Sequence, residues 1–304
     1  MADGDFEELD ERFRSCVRRS EQVRTLYRGC RWAEGPVYVP AGRYLLWSDI
    51  PNNRVMRWDE TDHSVSVFLQ PANFANGQTL DRQGRAVRCE HGSRSVTRTE
   101  HDGSVTTLAS HYRGKRLNSP NDVVVKSDGS IWFTDPTYGI DTDFEGFAAT
   151  PEIGACHVYR VDARTGECEV VADDFVRPNG LAFAPDERRL YIVDSGVTHV
   201  RNGPRHIRVF DVSADRELSG GAVFASCQSG MFDGIRLDQS GRVWAGAADG
   251  VHCYDPDGTL LGKIKTGEPV ANVEFGGPQR NHLFICATTS LYAIRLPVNG
   301  ARKI

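Results

Sequence analysis

The chain has 304 residues, room for one large domain or two ordinary ones. Its 39% apolar and 25% charged residues are ordinary for a soluble globular protein. A formal charge of −5 with no basic block excludes nucleic acid or an anionic membrane surface as a partner, and no apolar run approaches the ~20 residues of a membrane helix.

The first twenty residues, "MADGDFEELDERFRSCVRRS", are acidic and then mixed in charge. They lack the basic start, apolar centre and small-residue cleavage site of a secretory signal. They read as an N-terminal tail or short helix on a cytoplasmic protein, ahead of a single domain over 21–304. The eight cysteines include no CxxC pair, and several sit inside apolar runs such as "LFICATT". They read as small hydrophobes, not as a disulfide framework. "EQVRTLY" (21–27) then alternates like a strand before any repeat begins.

From residue 34 a pattern recurs. "EGPVYVPAGRYLLWSD" (34–49), "NGQTLDRQGRAVRCEH" (76–91) and "NDVVVKSDGSIWFTD" (121–135) are followed by "NGLAFAPDERRLYIVD" (179–194), "DGIRLDQSGRVWAGA" (233–247) and "NVEFGGPQRNHLFICAT" (272–288). Each is a polar residue, a short apolar run, a turn rich in Gly, Asp or Pro, and a second apolar run: a β-hairpin. Third runs such as "RVMRWD" and "HIRVFD" follow, then fourth ones such as "SVSVFLQ" and "CEVVADD". The starts lie 42, 45, 58, 54 and 39 residues apart. Four-stranded units of roughly 40–50 residues predict an all-β chain, a six-bladed β-propeller of antiparallel blades. Two stacked β-sandwiches fit the sixfold recurrence poorly. After "SLYAIRL" (290–296) the sixth unit lacks its outer strand, so the N-terminal strand at 21–27 is expected to close the ring.

In a propeller the first strand of each blade lines the central channel. The residues opening the hairpins, Glu34, Asn76, Asn121, Asn179, Asp233 and Asn272, therefore form a ring at one mouth, with Asp49, Glu90, His91, Asp135, Asp194 and Ser195 at the hairpin ends beside it. All six ring positions are carboxylates or carboxamides, and such donors select hard divalent cations. Asn, Asp and Gly are also common turn residues. Glutamate has no turn role, and the repeated placement favours the cation reading for Glu34, Asn121, Asn179 and Asp233. His91 has two readings: a group that meets a substrate hydroxyl or leaving alkoxide, or a histidine bonded to nearby backbone. "GFAATPEIGA" (146–155) lengthens the third unit and is a candidate lid, with Tyr138 and Phe144 as its aromatic wall.

The motifs "AEGPVY", "CEHGSRSVTR", "LNSPNDVVVKSDGSIWFTDPTYG", "RPNGLAFAPDERRLYIVDS" and "FDGIRLDQSGRVWAG" resemble, in order and spacing, the gluconolactonase and regucalcin (senescence marker protein) family of propeller lactonases, its bacterial branch above all. The resemblance implies one divalent cation at the channel mouth, Ca2+ first, with Zn2+, Mg2+ or Mn2+ as alternatives. It places the ligands at Glu34, Asn179 and Asp233, with Asn121 as a fourth ligand or a substrate-orienting group and Asp122 behind them. Animal members carry an arginine where this chain has Ser119, so a sugar contact through that arginine does not carry over. The implied reaction is hydrolysis of a sugar lactone, with Asp233 (or Glu34) taking a proton from water, and Asn121, His91, Asp122 and Tyr138 near the substrate. The implied partner is that small molecule, on a monomer or weak homodimer. Organophosphate or aryl-ester hydrolysis at the same site, and a non-catalytic interaction platform, are the competing readings.

Overall fold

Each predicted hairpin is the inner half of one blade in the computed structural model, which describes residues 4–301. The first blade is Ala33–Val39, Tyr44–Asp49, Arg54–Asp59 and Val65–Leu69, antiparallel throughout. The second (Ala75–Leu80 to Val105–Ala109), third (Val123–Val125 to Cys168–Phe175) and fourth (Pro178–Phe183 to Leu218–Ser226) repeat it. In the sixth blade Val270–Gly276, His282–Ala287 and Ser290–Arg295 receive their outer strand from Arg24–Arg28, paired antiparallel to Ser290–Arg295. The ring is closed by the N-terminal strand, as the sequence predicts.

Six apolar clusters hold the ring, one in each gap between neighbouring blades. Tyr38, Leu45 and Trp47 of the first blade meet Phe284, Cys286 and Leu291 of the sixth. Trp132 and Val158 of the third meet Leu181, Leu190 and Ile192 of the fourth. Strands covered on both faces explain the near-continuous apolar runs, since most inner-strand side chains are buried.

The segment before residue 20 holds a short 3-10 helix, one of the two expected forms, but it is no free tail. Phe6–Glu8 adds a fifth strand to the fifth blade, pairing with Leu260–Ile264. The 3-10 helix follows at Glu11–Ser15, the Arg12 N–H donating to the Asp10 carboxylate (2.9 Å). Its Phe13 and Cys16 are fully buried between the fifth and sixth blades. Residue 20 thus does not separate a free tail from the propeller. The signal missed was Phe6 and Phe13, two aromatics in an otherwise acidic stretch. No helix among the described residues is long and apolar enough to cross a membrane.

Candidate active site

The channel residues owe their aim to a repeated backbone irregularity. In the first blade Glu34 pairs with Ser48 but Val37 with Leu46, so two residues, Gly35 and Pro36, oppose one, Trp47. The same bulge spans Asn76, Asn179 and Asp233 in the second, fourth and fifth blades. Bulges re-aim side chains and recur beside active sites. The inner strands also approach one another closely at this level. Gly35 has φ +53°, and a Cβ there would lie 1.9 Å from the carbonyl oxygen of Asn76. At Gly180 a Cβ would lie 2.4 Å from the carbonyl oxygen of Asp233. The "EG", "NG" and "DG" pairs are contact points around the channel axis, not hairpin turns.

Glu34 and Asp233 are both buried at this end. Burial, and then the charge of Asp122, push the Glu34 carboxyl up to about 7, while the Asn272 amide (2.9 Å) and the Gly35 N–H pull it down. Asp233 is raised well above the usual carboxylate range by burial, then by Glu34 and Glu145, with the Asn179 amide pulling the other way. Asn179 donates from Nδ2 to Ser195 Oγ (3.2 Å), and that hydroxyl donates to the Phe232 carbonyl (2.8 Å). The Asn121 side chain makes no hydrogen bond to a described residue; only its backbone is tied down, to Thr134 and Gly77. Asp122 sits beneath, its Oδ2 3.4 Å from Arg236. Burial raises its carboxyl, and Arg236 pulls it back. Arg236 also donates to Glu274 (3.0 Å), whose other oxygen lies 3.7 Å from Arg280. This ion-pair chain spans the channel below the ring.

Two ring members do other work. Asn272 is spent, its Oδ1 accepting from Val273 N–H and its Nδ2 donating to Glu34. Asn76 meets His91. The His91 Nδ1 lies 2.9 Å from the carbonyl oxygen of Glu145, which can only accept, so Nδ1 carries the proton. Burial pushes the ring's pKa down to about 4, so Nε2 stays bare and accepts from Asn76 Nδ2 (3.3 Å). That fixes the Asn76 amide and leaves its buried Oδ1 without a partner among the described residues. His91 is therefore the histidine bonded to backbone, and it orients a ring amide.

All four acidic hairpin ends are spent within the blades: Glu90 accepts from Asn73, Ser93 and Thr97 at 2.7–3.1 Å. Asp194 accepts from the backbone N–H groups of Val176, Arg177 and Gly196 at 2.9–3.0 Å. Asp49 accepts from Arg31 and Trp32 N–H and from Arg54, and Asp135 from Asn118 N–H. These last three carboxylates clamp the linkers that enter their own blades. The insertion is docked, not loose: Glu145 is held by His91, Arg31 lies over the Phe144 ring at 5.0 Å, and Phe74 meets Phe147 edge-on. Tyr138, on a short helix at Tyr138–Asp141, bonds through its hydroxyl to Thr198 Oγ1 (3.0 Å). His199 joins this face through Asp141 (2.9 Å).

A cavity of about 380 Å3 opens beside Asp233, walled by Trp32, Val197, Met231, Pro269 and Val270 and carrying Thr198 and Arg205. A smaller one of about 140 Å3 lies at the other end of the channel, by Arg236 and Glu274. The larger is lined by Asp233 and falls within the ~300–1,000 Å3 usual for small-molecule sites. Trp32, Arg205 and Met231 were missed from sequence because they stand in linkers between strands, where no repeat flags them.

The donor set fits a cation. Among the described residues no three His, Cys, Asp or Glu side chains converge; the ring offers two carboxylates plus carboxamide oxygens. Two carboxyls raised by burial and by neighbouring negative charge, with the Asn121 amide unpartnered, are the surroundings a hard divalent ion stabilises.

A family model described as the SMP-30/Gluconolactonase/LRE-like region matches residues 32–289. The chain is 29% identical over 305 aligned residues to a gluconolactonase of Zymomonas mobilis, covering 92% of this chain and 83% of that protein. It is 26% identical to the pentonolactonase XacC of Haloferax volcanii, covering 86% and 84% of the two chains. The solved structure of a gluconolactonase from Xanthomonas campestris superposes with a TM-score of 0.89 at 38% identity, covering 96% of this chain and 95% of that one.

Proposed function

Because the chain belongs to the SMP-30/Gluconolactonase/LRE-like family, we propose that it is a hydrolase that opens the ester of a sugar lactone. The observation that carries the reading is the placement of Asp233: a buried carboxylate beside Glu34 and Asn179, at the floor of a small-molecule cavity. A divalent cation held by Glu34, Asn179 and Asp233, with Asn121 as fourth ligand, would polarise the lactone carbonyl and acidify water. Ca2+ is the ion this oxygen set suits first.

The chain's own residues supply the rest. Asp233 is the carboxylate that lines the cavity, so it receives the proton of the attacking water. Water oxygen bonds to the carbonyl carbon, the ring C–O bond breaks, and the alkoxide takes a proton back from Asp233. The product is the open hydroxy acid. The Asn121 amide, unpartnered within the chain, would hold a substrate oxygen, and Ser195 steadies Asn179. Trp32, Met231 and the docked insertion restrict bulk water around the reacting ester.

The test is Asp233→Asn, which keeps shape and removes the base. Acid release from glucono-1,5-lactone, followed with a pH indicator, should fall at least 100-fold while Tm stays within a few degrees. Retention of most of the activity would sink this role.

A further inference from the structure

The cavity beside Asp233 is built for something other than a bare sugar. Trp32, Val197, Met231, Pro269 and Val270, with three alanines, make its wall apolar. Besides the Trp32 indole, the polar side chains lining it are Thr198, Arg205 and Asp233. Thr198 is already engaged, donating to the Ser195 carbonyl (2.9 Å) and meeting Tyr138 and His199. The cavity wall offers the hydroxyls of a sugar ring few partners, so recognition there falls to another substituent of the substrate.

Arg205 is the exception. It is half-buried, yet its guanidinium makes no hydrogen bond or ion pair to a described residue. Other arginines of this kind are at least hydrogen-bonded: Arg208 to Asp174 at 2.9 Å, Arg236 to Glu274 at 3.0 Å, Arg177 to the Val176 carbonyl at 3.2 Å. Asp233 is the one other charged side chain lining the cavity, and its charge is committed to the reacting centre. A half-buried arginine beside apolar walls is left without a paired counter-charge. Its planar fork suits two oxygens of one oxyanion better than a lone hydroxyl.

Resting on the lactonase reading above, we propose that the preferred substrate is a lactone bearing an oxyanion substituent, carboxylate, phosphate or sulfonate in chemistry, and that Arg205 binds that substituent. The ester lies over Asp233, the ring edge packs on Trp32 and Met231, and the negative group reaches Arg205. The residue sets specificity and takes no part in the proton transfers.

D-glucaro-1,4-lactone and D-glucono-1,4-lactone form a matched pair, with the same ring and either a carboxylate or a hydroxymethyl group at C6. Wild type should show kcat/KM at least tenfold higher on the carboxylate lactone, chiefly through KM, with the advantage shrinking as salt is raised. In Arg205→Gln that ratio should collapse toward one, and Arg205→Lys should restore part of it. A wild-type ratio near one, or an unchanged ratio in Arg205→Gln, overturns the proposal while leaving the lactonase reading intact. A wild type inert to both lactones overturns the lactonase reading and this proposal with it.

Discussion

Asn76 and Asn179 each open a hairpin and each precede a glycine, yet they have different tasks. Asn179 stands beside Asp233, steadied by Ser195. Asn76 is fixed by His91, which in turn holds the Glu145 carbonyl. Because burial keeps His91 neutral down to about pH 4, it does not titrate across the neutral range. The kcat/KM profile of wild type should therefore have no inflection near pH 6.5 that His91→Gln removes. His91→Ala should lower Tm by several degrees, since it leaves the Asn76 amide and the Glu145 carbonyl unmet at about 1–3 kcal/mol each. An inflection that vanishes in His91→Gln would show the ring titrating in catalysis. At this scale Glu34 was legible because no turn explains a glutamate at that place in the repeat. Arg205 was not, because a single cation in a linker carries no pattern.

The bulge, the close glycine and the clamping carboxylate recur from blade to blade, and the sequence shows only their footprints. The "NG" and "DG" pairs were legible as repeat starts. That they mark strands crowding round an axis needed the structure, since the same dipeptides serve turns. The acidic hairpin ends read as rim residues, and Asp49, Asp135 and Asp194 proved to be clamps on backbone. Asp135 gives the clamps a pH signature. Burial lifts its carboxyl to about 7, against 3.8 for an exposed one, with Asn118 and Ser119 N–H pulling down. The folded state then holds a proton that the unfolded chain has lost, so stability falls as pH rises from about 4 to 7. Asp135→Asn removes that titration. Its Tm relative to wild type should move upward by several degrees between pH 5 and pH 8; a difference independent of pH would contradict the account.

Taken whole, the molecule is six equivalent interfaces with one closure, and its count was legible from spacing alone. The outer strand from Arg24–Arg28 was legible too, because the sixth unit visibly lacked one. The fifth strand of the fifth blade was not, since Phe6–Glu8 is too short and acidic to declare itself. Sixfold placement gathers Glu34, Asn179 and Asp233, remote in sequence, at one mouth above the Asp122–Arg236 pair. The central claim is that this oxygen ring holds the ion on which lactone hydrolysis depends. It is tested by stripping the protein with EDTA and measuring glucono-1,5-lactone hydrolysis as Ca2+ is returned. The account predicts a rate near background without metal and a saturable rise that levels at one equivalent, absent in Asp233→Asn. Full activity in the stripped protein would contradict it.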